Sequence, residues 1–87
     1  LGFLNIGDEL KINNMDYLKL AKEQFFTLRE KMLDEDRHSL GAANEIDYNI
    51  DGEKFKIKVE GFWEKSTWFD WEVINLNGEK IAFGTWD

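Results

Sequence analysis

"EIDYNIDGEKFKIKVE", from Glu45 to Glu60, decides how this chain reads. Apolar and polar residues alternate on both sides of Asp51-Gly52: Ile46, Tyr48 and Ile50 before it, Phe55, Ile57 and Val59 after it. A period of two is the mark of a half-buried strand. Asp-Gly supplies the positive-φ positions of a type I′ turn, which joins antiparallel strands through a two-residue loop. Such a loop pairs Tyr48 with Phe55 and Ile46 with Ile57, and both pairs share one face. The stretch predicts a hairpin with one apolar side, and that side needs a partner.

A second stretch follows the same plan. "INLNGEKIAFGTW", Ile74 to Trp86, again has a turn dipeptide, Glu-Lys and an alternating run. The likeness is that of two hairpins meeting the same requirement, and no ligand motif follows from it. A two-residue Asn77-Gly78 loop would pair Ile74 with Ile81 and Glu72 with Phe83, the second a poor match. A three-residue loop, Leu76-Asn77-Gly78, sets Gly78 in the left-handed position of a G1 bulge. It pairs Val73 with Ile81, Trp71 with Phe83 and Phe69 with Thr85, which collects the apolar residues on one face. That register is the expected one. The connection around Glu64–Ser66 must be odd in length, or bulged, to keep Val59 and Trp71 on the same side.

Upstream the period changes. Over residues 15–35, Leu18, Ala21, Phe25, Leu28 and Met32 recur at spacings of three and four, which predicts an amphipathic helix. Asn13 or Asn14 suits its N-cap, and Asp16 suits the positive end of its dipole. Asp34, Glu35 and Asp36 crowd the negative end, so fraying is expected near Leu33. Residues 1–13, "LGFLNIGDELKIN", read either as an edge strand or as an extended arm.

The chain therefore reads as a single small α+β domain. One N-terminal helix packs on a four-stranded antiparallel meander over residues 44–87. The expected core sets Leu18, Phe25, Leu28 and Met32 against Ile46, Tyr48, Ile57, Val59, Phe69, Trp71, Val73, Ile81 and Phe83. With a strand over 3–12, the order of elements resembles the cystatin or monellin arrangement. That is a likeness of topology, and it implies no function.

Composition narrows the chemistry. The 87 residues carry 18 acidic and 11 basic groups, for a net charge of −7. Direct nucleic-acid binding rests on Lys and Arg neutralising phosphates, so it is not expected. Neither is binding to an anionic membrane surface. No Cys is present, which excludes disulfides and thiolate metal sites and fits the reducing cytoplasm. Four Trp and an aromatic content of 15% give a small core large apolar surfaces to bury.

Catalytic and metal motifs fail on inspection. "DYNIDG", Asp47 to Gly52, matches the first half of an EF-hand loop, but Lys58 stands where a bidentate Glu must sit. "DEDRH", Asp34 to His38, gathers carboxylates near the single His, too few ligands for zinc. Ser39 and Ser66 are the only serines, and neither forms a recognisable pair with His38. Asp70 and Glu72 would stand about 7 Å apart on one strand face, a spacing that alternating strands produce constantly. No catalytic residue, metal site or cofactor is expected.

The informative surface is the outer face of the sheet. Strand parity places Lys56, Lys58, Glu60, Phe62, Trp68, Asp70, Glu72, Ile74 and Trp86 there. A solvated face should be polar, yet this one mixes aromatics with carboxylates, the makeup of a binding hot spot. The expected function is a non-enzymatic protein-binding module, an inhibitor or immunity-type protein that blocks a basic surface by charge mimicry. Phe62, Trp68 and Trp86 would supply contact area; Asp70, Glu72 and the Asp34, Glu35, Asp36 run would supply charge. On size and charge alone, this mode resembles that of anti-CRISPR, anti-restriction and toxin-immunity proteins. The partner would be a protein with a basic surface, and the module a monomer or weak homodimer. The alternative is a small-molecule binder or small enzyme with a pocket between helix and sheet.

Overall fold

The computed structural model describes residues 6–34 and 41–87, with side chains over 17–34 and 41–87. Helix α1 (Ile6–Asp34) is followed by strands β1 (Gly41–Ile50), β2 (Glu53–Phe62), β3 (Trp68–Asn75) and β4 (Lys80–Trp86). The strands form one antiparallel sheet in the order β1-β2-β3-β4. The fold is α+β, with the helix laid on one face of a meander.

The first hairpin forms as its residues require. Asp51 and Gly52 have φ of 54° and 81°, the left-handed pair of a type I′ turn. Tyr48 pairs with Phe55 and Ile46 with Ile57, and the register runs unbroken to Gly41 opposite Phe62. The β2–β3 connection, residues 63–67, is odd in length, so Val59 and Trp71 are direct partners.

The second hairpin corrects the expected register. Its turn is the expected three-residue loop: Gly78 has φ of 83°, and its N–H donates to the Asn75 carbonyl at 3.0 Å. Asn75 braces the loop, its Oδ1 accepting from the Asn77 and Glu79 amides. Ile74 pairs with Lys80, but beyond it Val73 pairs with Ala82, Trp71 with Gly84 and Phe69 with Trp86. A bulge at this point inserts Ile81 as an extra residue and exchanges the two faces of β4. The physical gain lies on the helix side. Trp86 stacks on Phe69 at 5.5 Å. Gly84 leaves room for Trp71, since a Cβ there would lie 3.0 Å from the indole Nε1. Ile81 and Phe83 are therefore exposed rather than in the core, and Ile46 is 40% exposed at the β1 edge.

The helix also starts earlier than expected. It begins at Ile6, so the strand or arm read over 1–13 is helical from residue 6 onward; residues 1–5 lie outside the described residues. Asn13 and Asn14 each cost only a few tenths of a kcal/mol inside a helix, and no Gly or Pro interrupts residues 8–34. Its buried stripe is Tyr17, Ala21, Gln24 and Phe25, with Leu20, Phe26 and Met32 packed beside it. Leu18 and Leu28, expected in the core, are partly buried beside this stripe. Phe25 meets the fully buried Ile57, Val59, Phe69 and Val73 of the sheet in one cluster.

Two phenols, Tyr17 in the core and Tyr48 packed against it, tie stability to alkaline pH. Burial, helped by Glu53, raises the pKa of Tyr17; burial, helped by Glu23, raises that of Tyr48. An unfolded tyrosine ionises near pH ~10, while the folded chain holds these protons to higher pH. Stability is thus fully present below that value and falls as pH rises through the folded pKa. Melting temperature should decline more steeply above pH ~10 than for Tyr17→Phe, which keeps the ring on Phe55. Equal slopes for both proteins would remove Tyr17 from this account.

Candidate functional site: the uncovered sheet face

The alternation that buries Phe55, Ile57 and Val59 against α1 turns Lys54, Lys56, Lys58, Glu60 and Phe62 outward. On β3, Trp68, Asp70, Glu72 and Ile74 point the same way. The face is ordered in rows across the strands. Phe62 pairs with Trp68, their ring centroids 5.3 Å apart and tilted by 45°. In the next row Glu60 stands directly opposite Asp70, and Asp70 opposite Thr85. The Thr85 hydroxyl donates to Asp70 Oδ1 at 2.6 Å. Below them Glu72 lies between Lys58 and Phe83, and Ile74 lies between Lys56 and Lys80.

Charge on this face is segregated. Glu45 contacts Lys56 and Lys58 at 3.4 and 3.6 Å, and Lys80 reaches Glu72 at 4.0 Å. The lysines thus neutralise the middle and the hairpin end. Glu60 and Asp70 face each other beside the aromatic pair. Like charges directly opposite are unfavourable by a few tenths of a kcal/mol, so this end gains from a cation brought close to it.

Four of the expected site residues come together here: Phe62, Trp68, Asp70 and Glu72. Trp86 does not join them. The bulge at Ile81 turns it to the helix side, where Phe26 and Phe69 hold the ring and Lys22 Nζ lies 4.9 Å above it. Asp34 ends α1, in the layer on the other side of the sheet, so its charge is not part of this face. Glu35 and Asp36 lie outside the described residues, as do His38 and Ser39. The site gains Phe83, 72% exposed, which the expected register had buried. The signal for it was the small pair Ala82 and Gly84 flanking Phe83, residues suited to lie beneath the large rings of the core.

Two concavities open on the sheet. A shallow hollow of about 370 Å³ lies over Ala43, Glu45, Lys58, Glu60, Asp70 and Glu72. A second, of about 570 Å³, lies toward the hairpin turns over Lys54, Lys56, Ile74 and Leu76. Neither is lined by a residue of α1. Among the described residues no group of three or more His, Cys, Asp or Glu is placed to hold a metal ion. Among them, too, no helix is long and apolar enough to cross a membrane. No family model, curated protein or solved structure matches the chain.

The two outer tryptophans of the sequence reading should separate cleanly on mutation. Trp86→Ala opens a gap against Phe26 and Phe69 and should cost about 2 kcal/mol. Trp68→Ala removes a ring from the outer face and should cost about 0.5 kcal/mol. Urea denaturation of both variants checks the order, and a reversal would put Trp68 in the core.

Proposed function

We propose that this chain is a small non-enzymatic protein-binding module that docks a partner with a basic surface on its uncovered sheet face. One observation carries the reading: the Phe62–Trp68 ring pair stands beside the opposed carboxylates Glu60 and Asp70, on the face α1 leaves open. Aromatic area next to unneutralised charge suits burial of an Arg or Lys side chain, with the rings stacking on it and the carboxylates accepting its hydrogen bonds. The net charge of −7 favours fast encounter with such a partner. Use as an inhibitor, blocking a nucleic-acid-binding or toxin surface, draws its support from this end alone. The four lysines of the face, Lys54, Lys56, Lys58 and Lys80, argue against imitation of nucleic acid over its whole area.

The test is capture from lysate of the source cells on immobilised protein, with a salt gradient for elution. The expected result is a basic protein released by salt and lost when the bait is Trp68→Ala, whose melt stays close to the parent. Truncating a central aromatic should weaken the complex by more than about 1 kcal/mol. Asp70→Lys should abolish retention. A partner held equally by parent and both variants would place the interface elsewhere.

A further inference from the structure

We propose that β1 is a docking edge for an extended protein segment in which lysine or arginine alternates with apolar residues. Exposed edges are usually blunted by lysines, prolines or bulges. β4, one edge of the sheet, has Lys80 and the bulge at Ile81. β1, the other edge, has neither Lys nor Pro over Gly41–Ile50, and its ten residues pair with β2 without a register shift. The two-residue turn makes Ile50 and Glu53 the closing hydrogen-bonded pair, and antiparallel bonds alternate from there. The backbone N–H and C=O groups of Ala43, Glu45, Asp47 and Asn49 accordingly point away from β2. Among the described residues no strand lies on that side.

The side chains of β1 state what such a strand must carry. On the outer face they are Glu45 and Asp47; on the helix side they are Ile46 and Ile50, 40% and 43% exposed. Ile57, the direct partner of Ile46, is wholly buried, so Ile46 is covered toward β2 and open toward the edge. β2 already shows the complement. Lys58 lies opposite Glu45, Lys56 opposite Asp47 and Ile57 opposite Ile46, and Glu45 contacts both lysines. Opposite charges and apolar pairs across strands are favourable. A second segment of that pattern, added to the open side, would reproduce these pairs and cover both isoleucines. Strand addition of this kind draws affinity from main-chain bonds and specificity from alternate side chains. A second copy of the chain fits poorly, because antiparallel β1 pairing centred on Ile46 sets Glu45 and Asp47 against the same carboxylates. The edge is separate from the Phe62–Trp68 end, and the inference does not rest on that reading.

The probe is a short, end-blocked peptide of alternating lysine and valine, added to the full chain and followed by amide hydrogen exchange. The expected result is slowed exchange at Ala43, Glu45, Asp47 and Asn49, weakened by salt and absent with a glutamate–valine peptide. Asp47→Lys should reduce affinity about fivefold or more, and Trp68→Ala should leave it unchanged. Asp47→Asn, a change of charge alone, should give a smaller loss in the same direction and keeps the test readable if Asp47→Lys disturbs the fold. Protection at β4 instead, equal binding of the glutamate peptide, or no response to either Asp47 variant overturns the proposal. So does concentration-dependent protection of β1 without peptide, which would identify a second copy as the occupant.

Discussion

Phe25→Ala is expected to lower stability by about 3–5 kcal/mol, the range for deleting a fully buried ring. Phe25 is wholly inaccessible and sits where helix and sheet meet. Its ring stacks on Phe69 at 4.8 Å and meets Trp63 at 5.8 Å and Phe26 at 5.9 Å. Alanine leaves a void bounded by three aromatic rings, which cannot all move inward without leaving their other contacts. A domain of this size has about 5–15 kcal/mol in total and sits toward the lower end. The variant should therefore be partly unfolded at 37 °C and lose near-ultraviolet dichroism. Phe25→Leu, which refills most of the volume, should recover more than half of the loss. A melt for Phe25→Ala within about 1 kcal/mol of the parent would mean that the helix does not close this core.

The first hairpin was legible because two independent signals agreed. Asp51-Gly52 set a two-residue loop, and the alternation of Ile46, Tyr48, Phe55 and Ile57 required the same register. Parity then passed through the odd connection after Phe62 into β3, so Phe62, Trp68, Asp70 and Glu72 could be placed on the outer face from sequence. It failed at Ile81. The loop at Leu76-Asn77-Gly78 follows from its residues, but a bulge one residue past the first strand pair reverses every later side chain. Trp86 and Phe83 exchanged places for that reason alone. Bulges are decided by tertiary packing, here Trp86 on Phe69 and Gly84 beneath Trp71, and local pattern gives them little signal. The helix start is hidden for a related reason. Asn13-Asn14 reads as a cap, yet a continuous helix tolerates both residues. Gln24 gives no such signal, because a polar residue within an apolar stripe reads as the solvent side of a helix.

Gln24→Glu should be the second most costly substitution, and its cost should depend on pH. Gln24 is only 4% exposed. Its Nε2 donates to Asn44 Oδ1 at 2.9 Å and to the Ile57 carbonyl at 3.0 Å, while its Oε1 accepts from the Tyr48 hydroxyl at 2.9 Å. One side chain thus ties α1 to β1 and β2, with its donor and acceptor ends both in use. A carboxylate keeps the Tyr48 bond but turns an oxygen toward the Ile57 carbonyl, and it brings a charge into the interface. An uncompensated buried charge costs about 3–5 kcal/mol. Burial and the carbonyl oppose ionisation, so the folded pKa of the new Glu should rise above its unfolded value of about 4.3. Stability relative to the parent is then retained below that value, where the acid is neutral and its O–H can donate, and is lost as pH rises through the folded pKa. Gln24→Met, of similar size but without the polar ends, should cost about 2–3 kcal/mol with no such pH dependence. Urea denaturation of all three proteins at pH 4 and pH 7 separates the terms. If Gln24→Glu and Gln24→Met lose the same amount at both pH values, Gln24 matters for its volume and the hydrogen bonds do not pin the helix to the sheet. A loss by Gln24→Glu that vanishes on acidification, while that of Gln24→Met stays, would show that the polar ends of this one residue hold α1 against β1 and β2.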